Sequence, residues 1–142
     1  MPPLLVPDAS VILKWVFKAN EDEPDAEAEG AVMQGWIEGK CEIVLPGLWR
    51  YEVGNVLGLK NPGMASEVME ALLDYRFSEA EMSAHVCRQA FAIMKKCGAT
   101  FYDAAYHSIA LVHDGIFVTV DEGYYKNAHK MGNIALLKHF SI

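Results

Sequence analysis

The chain has 142 residues, 52% of them hydrophobic and 22% charged, with a formal net charge of −7. That size and apolar share predict one domain over residues 1–142 that closes a core without disulfides or a structural metal, and they exclude disorder over most of the length. The acidic balance excludes a general DNA-coating protein, but not a nuclease, whose carboxylates gather positive charge only when a cation arrives.

The start is apolar but lacks a basic flank and is broken by Pro2, Pro3 and Pro7, which makes a poor secretory signal. Residues 4–7 predict a short strand that runs into Asp8-Ala9-Ser10, and residues 11–17 carry apolar side chains at helical spacing. The acidic stretch 20–29 reads as a solvated connection or a helix start, and residues 31–38 as a helix ended near Gly39. A second strand is expected over 42–45, stopped by Pro46-Gly47. Helices are expected over 48–59, closed by Asn61-Pro62-Gly63, and over 64–73.

A brief strand is expected at 75–77. Residues 79–97 are rich in helix formers and end at Gly98, and a further helix spans about 100–112. The β-branched, apolar run 116–120 is the clearest strand and delivers the chain to Asp121-Glu122-Gly123. A short helix at 124–130 and a last strand at 134–137 complete the pattern. Strands alternating with helices predict a parallel sheet covered on both faces. No run of about 18 apolar residues is present to span a membrane. The cysteines, Cys41, Cys87 and Cys97, are too scattered for a zinc knuckle or a redox pair, and with the weak signal this points to the cytoplasm.

Four carboxylates stand where chemistry is expected, and each also has an ordinary explanation. Asp8 follows the first strand at its carboxyl end, where open α/β sheets bind ligands, yet an Asp before a helix is also a cap; Ser10 is a rival for that role. Glu52 interrupts an apolar helix face formed by Leu48, Trp49, Val53 and Val56, with Asn55 placed to orient it; the alternative is a rim glutamate paired with a Lys or Arg. Asp103 follows Thr100 by three, a capping-box spacing, and Asp121 stands in an ordinary turn composition. Grouped in one cleft, the four would repel one another and raise their own pKa values unless hard divalent cations neutralised them. The chemistry that follows is water activation for in-line attack on phosphorus.

Four segments, Val6-Pro-Asp8-Ala-Ser10, Trp49-Arg-Tyr-Glu52-Val-Gly-Asn55, Thr100-Phe-Tyr-Asp103-Ala-Ala-Tyr106 and Val118-Thr119-Val-Asp121-Glu-Gly123, resemble in order and spacing the PIN-domain nucleases, and among them the VapC-type toxins. The resemblance implies a three-layer α/β/α sandwich on a central parallel sheet, and RNA cleavage with Mg²⁺ or Mn²⁺. It implies a homodimer and inhibition by a small antitoxin. It assigns Asp8, Glu52, Asp103 and Asp121 to the metal site, with Ser10, Asn55 and Thr119 in support. Where the family often has a basic or polar residue after the last acid, this chain has Glu122-Gly123-Tyr124-Tyr125.

Lys14 with Lys18 and Lys126 with Lys130 are pairs one helical turn apart that follow Asp8 and Asp121, and they are candidates for phosphate contact; a solvated helix face is the plainer reading. Tyr124 and Tyr125 are candidates for base stacking, with core or dimer packing expected for at least one. His107 falls four residues after Asp103 but lacks partners at zinc-ligand spacing. Two other functions remain open: a PIN-like fold kept only for binding, and a phosphoacceptor receiver-like domain. The receiver would need an acid pair after the first strand and an acceptor Asp after a middle one, and Leu45-Pro46-Gly47 offers none.

Overall fold

Parallel strands need a long crossover between them, and the strand–helix alternation of this chain supplies it. The computed structural model describes residues 2–17 and 26–141. Strands β1 (Leu4–Pro7), β2 (Glu42–Pro46), β3 (Ser78–Ala80), β4 (Ile116–Thr119) and β5 (Ile134–Leu136) form one parallel sheet in the order β3-β2-β1-β4-β5. The register pairs Leu5 with Ile43 and with Ile116, Val6 with Phe117, and Thr119 with Leu136.

Because side chains alternate across a strand, β1 and β4 feed two cores. Val6 and Phe117 point into the larger one, with helices α3 (Trp49–Lys60), α5 (Ala84–Cys97) and α6 (Phe101–Val112) above them. Leu5 and Val118 point the other way, against Val11 of α1 (Ala9–Val16), Val32 of α2 (Ala26–Ile37) and Leu137. Helices on both faces of the sheet make the α/β/α sandwich that the sequence predicts. Each large apolar side chain sealed this way contributes about 1.5–3 kcal/mol. α6 sits deepest, buried continuously from Ala104 to Ala110, and its alanines let its backbone lie close to neighbouring elements. Among the described residues no helix is long and apolar enough to cross a membrane.

The helix ends follow local chemistry. Ser83 caps α5 by accepting from the Val86 N–H at 3.2 Å, and Gly98 ends it at φ 66°, a left-handed conformation that glycine adopts without a Cβ clash. This corrects one expectation: the helix does not begin at Glu79, because residues 78–80 form edge strand β3 against Val44–Pro46 of β2. Its neighbour is also corrected. The strand expected at 75–77 is instead the turn that follows α4 (Ala65–Asp74): Tyr75 caps the helix and Arg76 at φ 53° turns the chain so that Phe77 enters the core beside Trp36 and Trp49. Tertiary contacts, strand pairing at 78–80 and core packing of Phe77, override propensity in both places. Most of the acidic stretch 20–29, and Lys18, lie outside the described residues; α2 begins at Ala26.

Candidate functional site

From β1 the chain crosses to β2 on one side, and β4 later docks on the other, so the strand order reverses beside β1. Such a reversal opens a crevice at the carboxyl ends of the strands. Asp8 leaves β1 there and its N–H donates to the Val118 carbonyl at 3.0 Å, while Asp121 follows β4 two residues past its end. Glu52 and Asp103 arrive from the first turns of α3 and α6. Asp8, Glu52, Asp103 and Asp121 line one cavity of about 390 Å³, together with Ala9, Ser10, Tyr106 and Val120.

Two of the four acids are caps as well as cavity residues, and a third stands in the first turn of a helix that a threonine caps. Asp8 is the N-cap of α1, its Oδ1 accepting from the Val11 N–H at 3.2 Å, and Asp121 is the N-cap of α7 (Glu122–Ala128), accepting from the Tyr124 N–H at 2.9 Å. Thr100 caps α6 by accepting from the Asp103 N–H at 3.2 Å. Helix starts at the carboxyl ends of parallel strands bring caps, acids and unpaired N–H groups to the same edge. Ser10 is therefore not the rival cap expected from sequence: its hydroxyl donates to Asp8 Oδ1. The buried Thr119 hydroxyl donates to Asp8 Oδ2 at 2.6 Å and accepts from the Asp121 N–H at 3.1 Å, tying the two strand-end acids together.

Glu52 meets neither of its expected neighbours. Asn55 is exposed and stands outside the cavity, and the donor to Glu52 Oε1 is the Tyr106 hydroxyl at 2.7 Å. Sequence reasoning missed Tyr106, though a signal was there: it follows Asp103 by three, which puts both on one face of α6.

No Lys or Arg among the described residues lines this cavity. Burial pushes the Asp8 carboxyl above its usual range, against the pull of the Ser10 and Thr119 hydroxyls and the Val11 N–H, and Asp103 adds to the rise. Burial also raises Glu52, opposed by Tyr106 and reinforced by the charges of Asp103 and Asp8. Asp103 is raised by burial and then by Asp121, with the Thr100 hydroxyl working against them. Mutual repulsion of this kind invites a cation. Among the described residues no three or more His, Cys, Asp or Glu side chains stand together closely enough to hold a metal ion as placed. In chemical type the donors, carboxylate oxygens throughout with hydroxyls beside them, are those that a hard divalent ion takes.

The remaining candidates lie elsewhere. Lys14 is half-buried on α1, and Lys126 and Lys130 are exposed on and just after α7; none lines the cavity. His107 is buried with both ring nitrogens engaged, Nδ1 with the Tyr124 hydroxyl at 2.8 Å and Nε2 with the Gly132 carbonyl at 2.7 Å. Tyr124 is thus a core residue, while Tyr125 stacks on His129. Glu122 faces away to pair with Lys138 at 2.5 Å.

The PIN domain family model matches residues 5–130. Ribonuclease VapC3 of Pyrobaculum aerophilum is 34% identical over 124 residues, which cover 82% of this chain and 88% of that protein. A solved toxin–antitoxin complex from Klebsiella pneumoniae aligns over 99% of both chains at 15% identity with a TM-score of 0.64. A crystal structure of a protein from Pyrobaculum aerophilum aligns over 96% of this chain and 90% of its own at 21% identity, with a TM-score of 0.66. At those identities the two solved structures speak to the fold alone. The family match and the curated relative, each covering most of the chain, carry the assignment: the chain belongs to the PIN-domain family, among its VapC-type members.

Proposed function

We propose that residues 1–142 act as a single nuclease domain, a metal-dependent endoribonuclease that serves as the toxin of a type II toxin–antitoxin pair. One observation carries the reading: four carboxylates from separate parts of a PIN-domain chain line one cavity, and no Lys or Arg among the described residues lines it with them. The relative named ribonuclease VapC3 supports RNA as the substrate, and the fold shared with the Klebsiella pneumoniae complex supports an antitoxin partner. A cytoplasmic setting and a homodimer belong to the same reading.

Asp8, Glu52, Asp103 and Asp121 would hold Mg²⁺ or Mn²⁺. The bound ion would supply a water of lowered pKa and a counter-charge for the oxygen that leaves phosphorus. The chain's own groups fix the acids in advance. Ser10 and Thr119 each donate to one Asp8 oxygen, and Thr119 links Asp8 to the backbone of Asp121, so little rearrangement is left for the reaction. Lys126 and Lys130, exposed on the helix side that follows Asp121, are candidates to meet the RNA backbone.

The test is cleavage of an RNA panel with Mn²⁺ or Mg²⁺ and again with EDTA. Products with a 5′-phosphate and a 3′-hydroxyl are expected, and only with the ion present. Undiminished cleavage in EDTA would rule the proposal out.

A further inference from the structure

The cavity contains one polar group that is neither an acid nor part of a strand-end brace. Tyr106 is buried to 1% exposure, its ring stacks on Phe117 of β4 at a centroid separation of 6.0 Å, and its hydroxyl reaches from α6 to Glu52 on α3. We infer that Tyr106 is a positioning residue of the metal site, holding Glu52 Oε1 so that the carboxylate presents Oε2 to the cation. This rests on the metal-dependent reading above.

A buried phenol needs a hydrogen-bond partner, so the bond by itself explains only why Tyr106 is stable there. The choice of partner says more. Glu52 is one of the four acids of the cavity, and Tyr106 lines that cavity as well. A glutamate side chain has several free torsions, and a tether at one oxygen removes much of that freedom before any ion arrives. The donor is also neutral. A Lys or Arg at this point would orient Glu52 equally well but would cancel the negative charge that attracts a cation, whereas a phenol orients it and leaves the charge in place. Burial and the charges of Glu52, Asp8 and Asp103 push the ionisation of Tyr106 far up, so its hydroxyl keeps its proton at any ordinary pH.

The experiment is calorimetric titration of Mn²⁺ into the wild-type chain, Tyr106→Phe, Glu52→Gln and the double variant, with thermal melts of each in EDTA. Tyr106→Phe keeps the ring on Phe117 and removes only the donor. It is expected to melt cooperatively and to bind Mn²⁺ on the order of ten-fold more weakly, the usual cost of losing a group that orients a metal ligand. In the Glu52→Gln background the same change is expected to alter affinity by less than about two-fold, since its effect runs through Glu52. Wild-type affinity in Tyr106→Phe, or an equal loss in both backgrounds, would overturn the inference. Absence of Mn²⁺ binding by the wild-type chain would instead overturn the metal-dependent reading itself. Glu52→Asp, which keeps the charge but withdraws it from the hydroxyl, provides a second route: a similar loss is expected, and undiminished affinity would also overturn the inference.

Discussion

Two glutamates meet the start of α3 and are treated in opposite ways. Glu79 comes from edge strand β3 and accepts hydrogen bonds from Trp49 Nε1 at 2.8 Å and Arg50 Nε at 2.7 Å. Its burial pushes its pKa up, but those donors and the Arg50 charge outweigh it and hold the carboxyl below its usual range. Glu52, two residues beyond Arg50, is pushed above the usual range by burial and then by the charges of Asp103 and Asp8, and its one donor, a neutral phenol, does not outweigh them. Arg50 meets the carboxylate that holds the edge strand, whereas no Lys or Arg among the described residues lines the cavity where the carboxylates gather.

The sharpest way to break this contrast is at Asp121. Asp121→Asn retains the cap of α7, because Asn caps as well as Asp, but removes a charge. Cleavage is expected to fall by about a hundred-fold or more, with the EDTA melting temperature unchanged or slightly raised. Asp121→Ala should lose the same activity and, in addition, about 1 kcal/mol of stability. Equal activity in wild type and Asp121→Asn, measured with one RNA substrate, would reduce Asp121 to a cap.

Next in size is stabilisation by the ion. Mn²⁺ at a hundred times its Kd should stabilise the folded chain by about 2.7 kcal/mol, seen as a rise in melting temperature, and Glu79→Gln should leave that rise intact. The Glu79 cluster itself is worth less. Glu79→Ala should cost about 1 kcal/mol in urea unfolding, the range of a charge-assisted hydrogen bond discounted for the exposure of Arg50 to water.

The smallest effect is the dependence of stability on pH in EDTA, where the two regions should act in opposite directions. Asp8, Glu52 and Asp103 have native pKa values above their ordinary values of 3.8, 4.5 and 3.8, so the folded chain binds more protons than the unfolded one between the two. The cost of burying their charges, and then their mutual repulsion, is relieved as pH falls through that window, and stability rises. Glu79 has a native value below 4.5, so its contribution, complete above 4.5, is lost as pH falls through the lower native value. Urea midpoints from pH 7 to pH 3 should show a rise followed by a fall, and Glu52→Gln should reduce the rise.

Much of the fold was legible because periodicity and caps agreed along the chain. Apolar runs at 4–7 and 116–120 gave the central strands, and Gly39, Gly98 and Asn61 marked helix ends. The edge strand was not legible, since Ser78-Glu79-Ala80 has no β propensity and is held by register with β2 and by the reach of Glu79 to Trp49 and Arg50. At the site, residue identity pointed to the acids, but their partners depend on which helices lie side by side. Asn55 shares a helix with Glu52 and turns outward, whereas Tyr106, distant in sequence, supplies the hydrogen bond. Choosing between cap and cavity residue was a false alternative, because the crossover topology puts helix starts and the acid-lined cavity at one edge.

The outer strands of the sheet, β3 and β5, are three residues long each. A strand that brief offers an incoming polypeptide few backbone groups to zip onto, which protects the chain from edge-to-edge polymerisation. Any protein that grips this molecule is thereby directed to its helices and loops, so affinity and selectivity must come from side-chain fit rather than from extending the sheet.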